Sequence, residues 1–323
     1  MIRHVTFAVL AIAAHLGIAW VGPVQGQPTD PMNEFELRTH DSPAGSISYR
    51  LHVPAEWSSP RRLVVMLHGC LQDAADFAAG TGMNAIADES GFAVLYPQQG
   101  PERNPQKCWN WFDAAQQRSD GPEVARIVSL LDAVTEALDV DVSRVDLAGI
   151  SAGAAMANVL AVSHPDRFAR VALHSGIAWG AAGNIAEGMT AMQTGGPETI
   201  DLEDRRLDAF LGADRPVAVM VLQGASDPAV APVNGARSAE RWARLFEAKG
   251  AALGRTDVME AIEGGRSVRT VAWRREDGTT AVEWLEIQGL GHAWSGGRPE
   301  GSYTDPDGPS ASRLVARFFG LLP

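Results

Sequence analysis

The sequence predicts an α/β chain whose central, mostly parallel sheet is covered by helices on both faces, and three observations carry that expectation. Apolar runs of strand length alternate with segments of helical spacing along most of the chain. The strand runs are continuous rather than alternating, and one glycine-flanked serine stands at a strand-to-helix junction. Continuous apolar strands are those shielded on both faces, and a strand-helix-strand alternation makes neighbouring strands parallel. With 323 residues, 46% of them hydrophobic and 20% charged, the chain has core enough for one large domain.

Residues 1–26 stand apart. Arg3 and His4 precede a mostly apolar run from Val5 to Val21, and Val24-Gln25-Gly26 offers a small-residue cleavage site. The segment reads as a secretory signal peptide, leaving a single secreted domain, 27–323, that is periplasmic or extracellular. The run is broken by His15 and is short beside the roughly 20 residues of a membrane span, so no stable membrane anchoring is expected after cleavage.

Residues 35–39 and 46–53 alternate as early strands, divided by the turn letters Asp41-Ser42-Pro43-Ala44-Gly45. Residues 62–67 form an apolar strand that runs into His68-Gly69-Cys70. A helix over 83–90 is stopped by Gly91, and a strand over 92–96 is closed by Pro97. Val124, Ile127, Val128, Leu131, Val134 and Leu138 recur at helical spacing over 123–138, after which 144–149 returns to strand. Beyond it the pattern predicts a helix to about Ser163, strands over 168–173 and 217–222, and a helix from about Ser238 to Ala248. Strands over 268–274 and 282–287 and a helix over 310–319 complete it. The stretch 179–212 is rich in Gly, Ala and Met and follows a strand at the sheet's carboxyl edge; it reads equally as a cap over a site or as a surface insertion.

The net charge of −12 excludes the basic footprint of a nucleic-acid binder. Cys70 and Cys108 are the only cysteines, and in an oxidising compartment such a pair is expected to be bridged. They lack C-x-x-C spacing, so no zinc or redox motif and no metal is implied.

Gly149-Ile150-Ser151-Ala152-Gly153 carries the chemistry. At a sharp strand-to-helix turn the glycines give room and the serine hydroxyl is pushed out of the sheet edge. A serine is a poor nucleophile near neutrality and needs an imidazole base oriented by a carboxylate. The α/β-hydrolase topology sets the chain order serine, acid, histidine. His292, in the loop Gly289-Leu290-Gly291-His292, is the only histidine after Gly176 and so the candidate base. Asp227 follows the 217–222 strand through Gln223-Gly224-Ala225-Ser226 and is the candidate acid, although Asp-Pro is also a common turn initiator. The backbone N-H groups of Ala152 and Cys70 are the candidate oxyanion donors.

Four ordered motifs then resemble the polyhydroxybutyrate (PHB) depolymerase family of esterases, which is similar to feruloyl and acetylxylan esterases. They are His68-Gly69-Cys70-Leu71-Gln72, Cys108-Trp109-Asn110-Trp111-Phe112, Gly149 to Met156, and Gly291-His292-Ala293-Trp294-Ser295-Gly296-Gly297. The resemblance implies an α/β-hydrolase fold, a Ser151-Asp227-His292 triad, and ester hydrolysis without metal or organic cofactor. Gln223 departs from the pattern, standing where related chains often have histidine. Trp109, Trp111 and Trp294 flank the loops and are candidate substrate contacts. The expected function is a secreted serine esterase acting on short hydroxyalkanoate oligomers or related aliphatic polyesters. A feruloyl or acetylxylan esterase is the alternative within the enzyme class, and a hydrolase-like binding protein without turnover is the alternative outside it.

Overall fold

A computed structural model describes residues 35–215, 217–261 and 264–323; the signal segment expected over 1–26 lies outside them. In chain order the elements are β1 (Arg38–His40), β2 (Ile47–His52), β3 (Leu63–Leu67), α1 (Ala74–Thr81), α2 (Met83–Ser90), β4 (Ala93–Gln98) and α3 (Pro122–Leu138). There follow β5 (Val145–Ile150), α4 (Ala152–Ser163), β6 (Arg170–His174), α5 (Ile185–Thr194), α6 (Asp208–Gly212), β7 (Ala218–Gly224) and α7 (Val233–Ala248). The chain closes with β8 (Gly254–Ala261), β9 (Ser267–Arg274), β10 (Thr280–Ile287), β11 (Trp294–Ser295), β12 (Thr304–Asp305) and α8 (Ala311–Phe318).

Ten strands form one sheet in the order β1-β2-β4-β3-β5-β6-β7-β10-β9-β8. From β4 to β10 every neighbouring pair is parallel, and antiparallel strands extend the sheet at both ends. This is the mostly parallel, helix-covered sheet expected from the sequence. The reason is visible in β3, where all five residues are buried. Leu63, Val65 and Leu67 pack with α3, α4 and α7 on one face, while Val64 and Met66 pack with α1, α2 and α8 on the other. Successive strand side chains point to opposite faces, so a strand covered twice must be apolar throughout.

Helix ends follow local chemistry. The Asp73 carboxylate accepts from the Ala75 and Asp76 N-H groups and starts α1, a helix the apolar pattern did not indicate. Pro122 opens α3, and Gly91 in the left-handed region closes α2. Helix α7 begins at Val233, a turn and a half earlier than its periodicity suggests. Every residue of α4 is buried, as expected of an Ala-rich helix enclosed on all sides. Among the described residues no helix is long and apolar enough to cross a membrane.

Candidate active site

Ser151 sits between β5 and α4 with φ 55° and ψ −122°, a conformation that non-glycine residues rarely adopt. The turn is tight enough to dictate its flanking residues. A Cβ on Gly149 would lie 2.6 Å from the Gly153 carbonyl group, and one on Gly153 would lie 2.1 Å from the Leu67 carbonyl oxygen. Only hydrogen fits at either position.

The serine hydroxyl lies 3.0 Å from His292 Nε2, and His292 Nδ1 lies 2.8 Å from Asp227 Oδ2. An ionised carboxylate can only accept, so Nδ1 carries the proton and Nε2 is left as acceptor for the serine O-H. The other carboxylate oxygen, Oδ1, accepts from the Ala229 and Val230 N-H groups at 2.9 and 2.8 Å. Gln223 Nε2 donates to Oδ2 at 3.2 Å, so the residue that departs from the family pattern holds the acid directly. Burial pushes the Asp227 carboxyl up, but the bond and charge of His292 together with the Val230 and Ala229 amides outweigh it and hold it below the ordinary carboxylate range. The acid and histidine loops are zipped together, with Ala225 N-H donating to Ile287 O and Ser226 N-H to Leu290 O.

Neither the Cys70 nor the Ala152 N-H donates to a protein acceptor among the described residues, whereas the Gly69, Leu71 and Ser151 N-H groups beside them are occupied. The orientation of the Cys70 donor has a specific cause. The Gly69 carbonyl accepts from His68 Nδ1 at 2.7 Å, and in a trans peptide the next N-H points the opposite way. His68 Nε2 in turn accepts from Gln99 N-H, and burial holds this imidazole neutral, lowering it to about 4. Such donors, fixed before a reaction begins, suit a charge that develops on a carbonyl oxygen.

Cys70 and Cys108 are joined in a disulfide, as expected. The bridge ties the loop after β3 to the loop bearing Trp109 and Trp111, with Leu71 N-H donating to Gln106 O at 2.7 Å beside it. Closing a loop of 38 residues removes roughly 4 kcal/mol of unfolded-chain entropy in the loop-closure model. Replacing both cysteines by serine is expected to lower the urea midpoint of unfolding and to reduce kcat. Denaturation curves and initial rates check this, and a double variant with unaltered midpoint and rate would contradict it.

The triad opens into a cleft of about 650 Å³. One wall is apolar, built from Trp111 and Phe112 with Ile185, Met189 and Met192 of α5; Asn104, Gln106 and Tyr303 supply polar groups elsewhere along it. The stretch 179–212 thus contributes its helix α5 to the cleft. A wider polar depression of about 1040 Å³ lies against the opposite side of α5, around Arg118, Glu187 and Arg206, and includes none of the triad.

The three tryptophans divide. Trp111 lines the cleft, but Trp109 and Trp294 are each 1% exposed and do not reach it, correcting the expectation for both. Their indole N-H groups are satisfied inside, by the His68 carbonyl and the Ser312 hydroxyl respectively. Trp294 begins β11, which turns the chain inward beneath His292, and there it stacks on buried His174 at 5.1 Å.

His174 was not singled out by the sequence, although Ser151 N-H donates to its carbonyl and its Nε2 accepts from Ser295 N-H at 3.4 Å. Burial, reinforced by His292, lowers this imidazole to about 3. Below the ordinary value of 6.5 the unfolded chain therefore takes up protons at His68 and His174 that the folded chain refuses. Stability is present above that pH and lost as pH falls towards 4. Asp146, raised to about 6 by burial, and Glu283, also raised by burial, oppose the trend, while His164, lowered by burial, adds to it. The urea midpoint is expected to drop steadily from pH 6.5 to pH 4.5; a constant midpoint would contradict the buried neutral histidines.

The chain is similar to known esterases. A sequence model of the family described as Esterase PHB depolymerase matches residues 47–263. The chain is 29% identical over 292 residues to poly(3-hydroxyalkanoate) depolymerase C of Paucimonas lemoignei, covering 86% of this chain and 68% of that protein. It is 27% identical over 263 residues to feruloyl esterase B of Thermothelomyces thermophilus, covering 78% and 85%. In structure it is similar to an acetyl xylan esterase from Aspergillus awamori, with TM-score 0.68 and 20% identity over 89% of this chain and all of that one. That likeness identifies the α/β-hydrolase fold.

Proposed function

This chain belongs to the esterase PHB depolymerase family and is a carboxylic ester hydrolase, and on that premise we propose that Ser151, His292 and Asp227 are its catalytic triad. One observation carries the reading: an unbroken run of hydrogen bonds from Asp227 through His292 to Ser151 at the edge of an apolar cleft. Ser151 Oγ attacks the ester carbonyl carbon as its proton passes to His292 Nε2. The carbonyl oxygen, now negative, is received by the Cys70 and Ala152 N-H groups, each worth roughly 3 to 4 kcal/mol to the transition state. The tetrahedral intermediate collapses as His292 gives its proton to the leaving alcohol oxygen, and the acyl group stays on Ser151 Oγ. Water then repeats the sequence, losing a proton to His292 and releasing the carboxylic acid and the free serine. Asp227 stays ionised throughout and keeps the proton of the resting imidazole on Nδ1.

The substrate is a short oligomer of the poly(3-hydroxyalkanoate) type or a related aliphatic ester. The apolar wall of Trp111, Phe112, Ile185, Met189 and Met192 supports this, as does the similarity to poly(3-hydroxyalkanoate) depolymerase C. Helix α5 acts as a cap wall over that substrate, within a single domain spanning 27–323. The amino-terminal segment directs secretion, with residues 1–26 removed.

Similarity to feruloyl esterase B favours one second reading, an esterase on feruloylated or acetylated polysaccharide. Initial rates and product analysis on a hydroxybutyrate trimer, methyl ferulate and acetylated xylo-oligosaccharides separate the two. The trimer is expected to give the highest kcat/KM; a clear preference for either of the others would replace the aliphatic reading.

A further inference from the structure

Tyr303 holds a left-handed backbone, φ 53°, at the mouth of the cleft, where its side chain is 41% exposed. A bulky residue in that region is strained and persists only where the surroundings impose the conformation. They do so here from several directions. The Asp76 carboxylate accepts from the Ser302 N-H at 2.9 Å and from its hydroxyl at 2.5 Å, and Gln72 Nε2 donates to the Ser302 carbonyl at 3.0 Å. The Tyr303 carbonyl accepts from Trp294 N-H at 2.7 Å. A Cβ on Gly301 would lie 2.4 Å from the Gly80 Cα, so this loop rests directly on α1. Gln72 Oε1 also accepts from the Gly69 N-H, which joins the Tyr303 loop to the loop that carries the Cys70 donor.

So many bonds hold a tyrosine whose side chain is partly exposed and whose phenol oxygen has no hydrogen-bond partner among the described residues. Among the described non-glycine residues with positive φ, Leu71, Lys107, Ser151, Ser175 and Tyr303 lie in the loops around the triad, and only Asp139, closing α3, lies elsewhere. Backbone strain in this fold therefore collects at the site. Tyr303 is also the cleft side chain whose ring meets that of His292, edge-on at 6.4 Å and 76°. In the reaction proposed above, His292 delivers its proton to the leaving alcohol oxygen, so the alcohol half of the ester must lie on the His292 side.

We propose that Tyr303 is the specificity-determining residue for the leaving-alcohol half of the ester, its hydroxyl donating to an acceptor oxygen on that half and its ring bounding it. This rests on the esterase reading given above. The ligand class is an alcohol that itself carries a carbonyl or ether oxygen near the scissile bond, as the next unit of an oligoester does.

The test uses two esters with the same acyl group, methyl butyrate and methyl 3-(butanoyloxy)butanoate, and follows released butyrate with the wild type and the Tyr303→Phe and Tyr303→Gly variants. Loss of one neutral hydrogen bond in Tyr303→Phe is expected to lower the kcat/KM ratio of extended to simple ester roughly three- to tenfold. Tyr303→Gly is expected to lower it further while its melting midpoint stays level or rises, because glycine accepts the left-handed backbone without strain. Lengthening the acyl chain of a methyl ester should not enlarge the effect of either variant. A ratio unchanged in both variants, an effect that grows with acyl length, or a lowered midpoint with both esters losing rate equally would overturn the proposal. Failure of the underlying reading is distinct: butyrate release from methyl butyrate would then survive in Ser151→Ala.

Discussion

Ser151→Ala is expected to lower kcat on methyl butyrate by at least about a thousandfold while leaving the melting midpoint within a few degrees of the wild type. The hydroxyl removed is the group 3.0 Å from His292 Nε2, so no acyl-enzyme can form without it. The fold should tolerate the loss, because alanine keeps the Cβ that the turn already accommodates between Gly149 and Gly153. Ser151→Gly should be inactive and also more stable. It relieves a backbone held at φ 55°, a strain of order 1 to 3 kcal/mol in such positions. Comparison of thermal midpoints and initial rates for the two variants separates strain from chemistry, and retention of more than about a tenth of wild-type kcat in either would remove the nucleophile from the account.

Asp227→Asn is expected to cost about ten-thousandfold in kcat, through the tautomer of His292 rather than through loss of contact. Two backbone N-H groups, from Ala229 and Val230, donate to Oδ1 and will keep an oxygen in that position. The introduced amide nitrogen must then take the place of Oδ2 and donate towards His292 Nδ1. That forces the imidazole proton onto Nε2, which can no longer accept from Ser151. The same nitrogen also faces the Gln223 Nε2 donor, now with no acceptor between them. A tautomer-sensitive 15N spectrum of the imidazole, read beside kcat, checks the cause. A variant with the wild-type tautomer and the full rate loss would mean that Asp227 acts only by charge.

Much of this architecture was legible in the chain itself. Strands β3, β4 and β7 announce themselves as apolar runs because both of their faces are covered, and the glycine pair around Ser151 marks a turn too tight for a side chain. The order serine, acid, histidine left His292 without a competitor. What escaped depends on contacts distant in sequence. Helix α1 has mostly small residues and no strong apolar stripe, and its start is set by the Asp73 cap. Trp294 looks like a pocket residue from its place beside His292, yet its partners His174, Phe77 and Ser312 lie far away in sequence. The supporting roles of His68, Gln72 and His174 are equally invisible, since each is defined by a bond to a loop that only folding brings near, whereas Gln223 bonds to Asp227 only four residues on.

In the proposed mechanism, folding gives the Ser151 hydroxyl a reactivity that no other serine in the chain has. Treatment with a p-nitrophenyl alkylphosphonate, followed by intact mass measurement and peptide mapping, tests it most directly. The expected result is one phosphonyl group per chain, carried by Ser151, with activity lost in step, and no labelling of Ser151→Ala or His292→Ala. Inactivation with the label on another residue, or full esterase activity in protein quantitatively labelled at Ser151, would contradict the account.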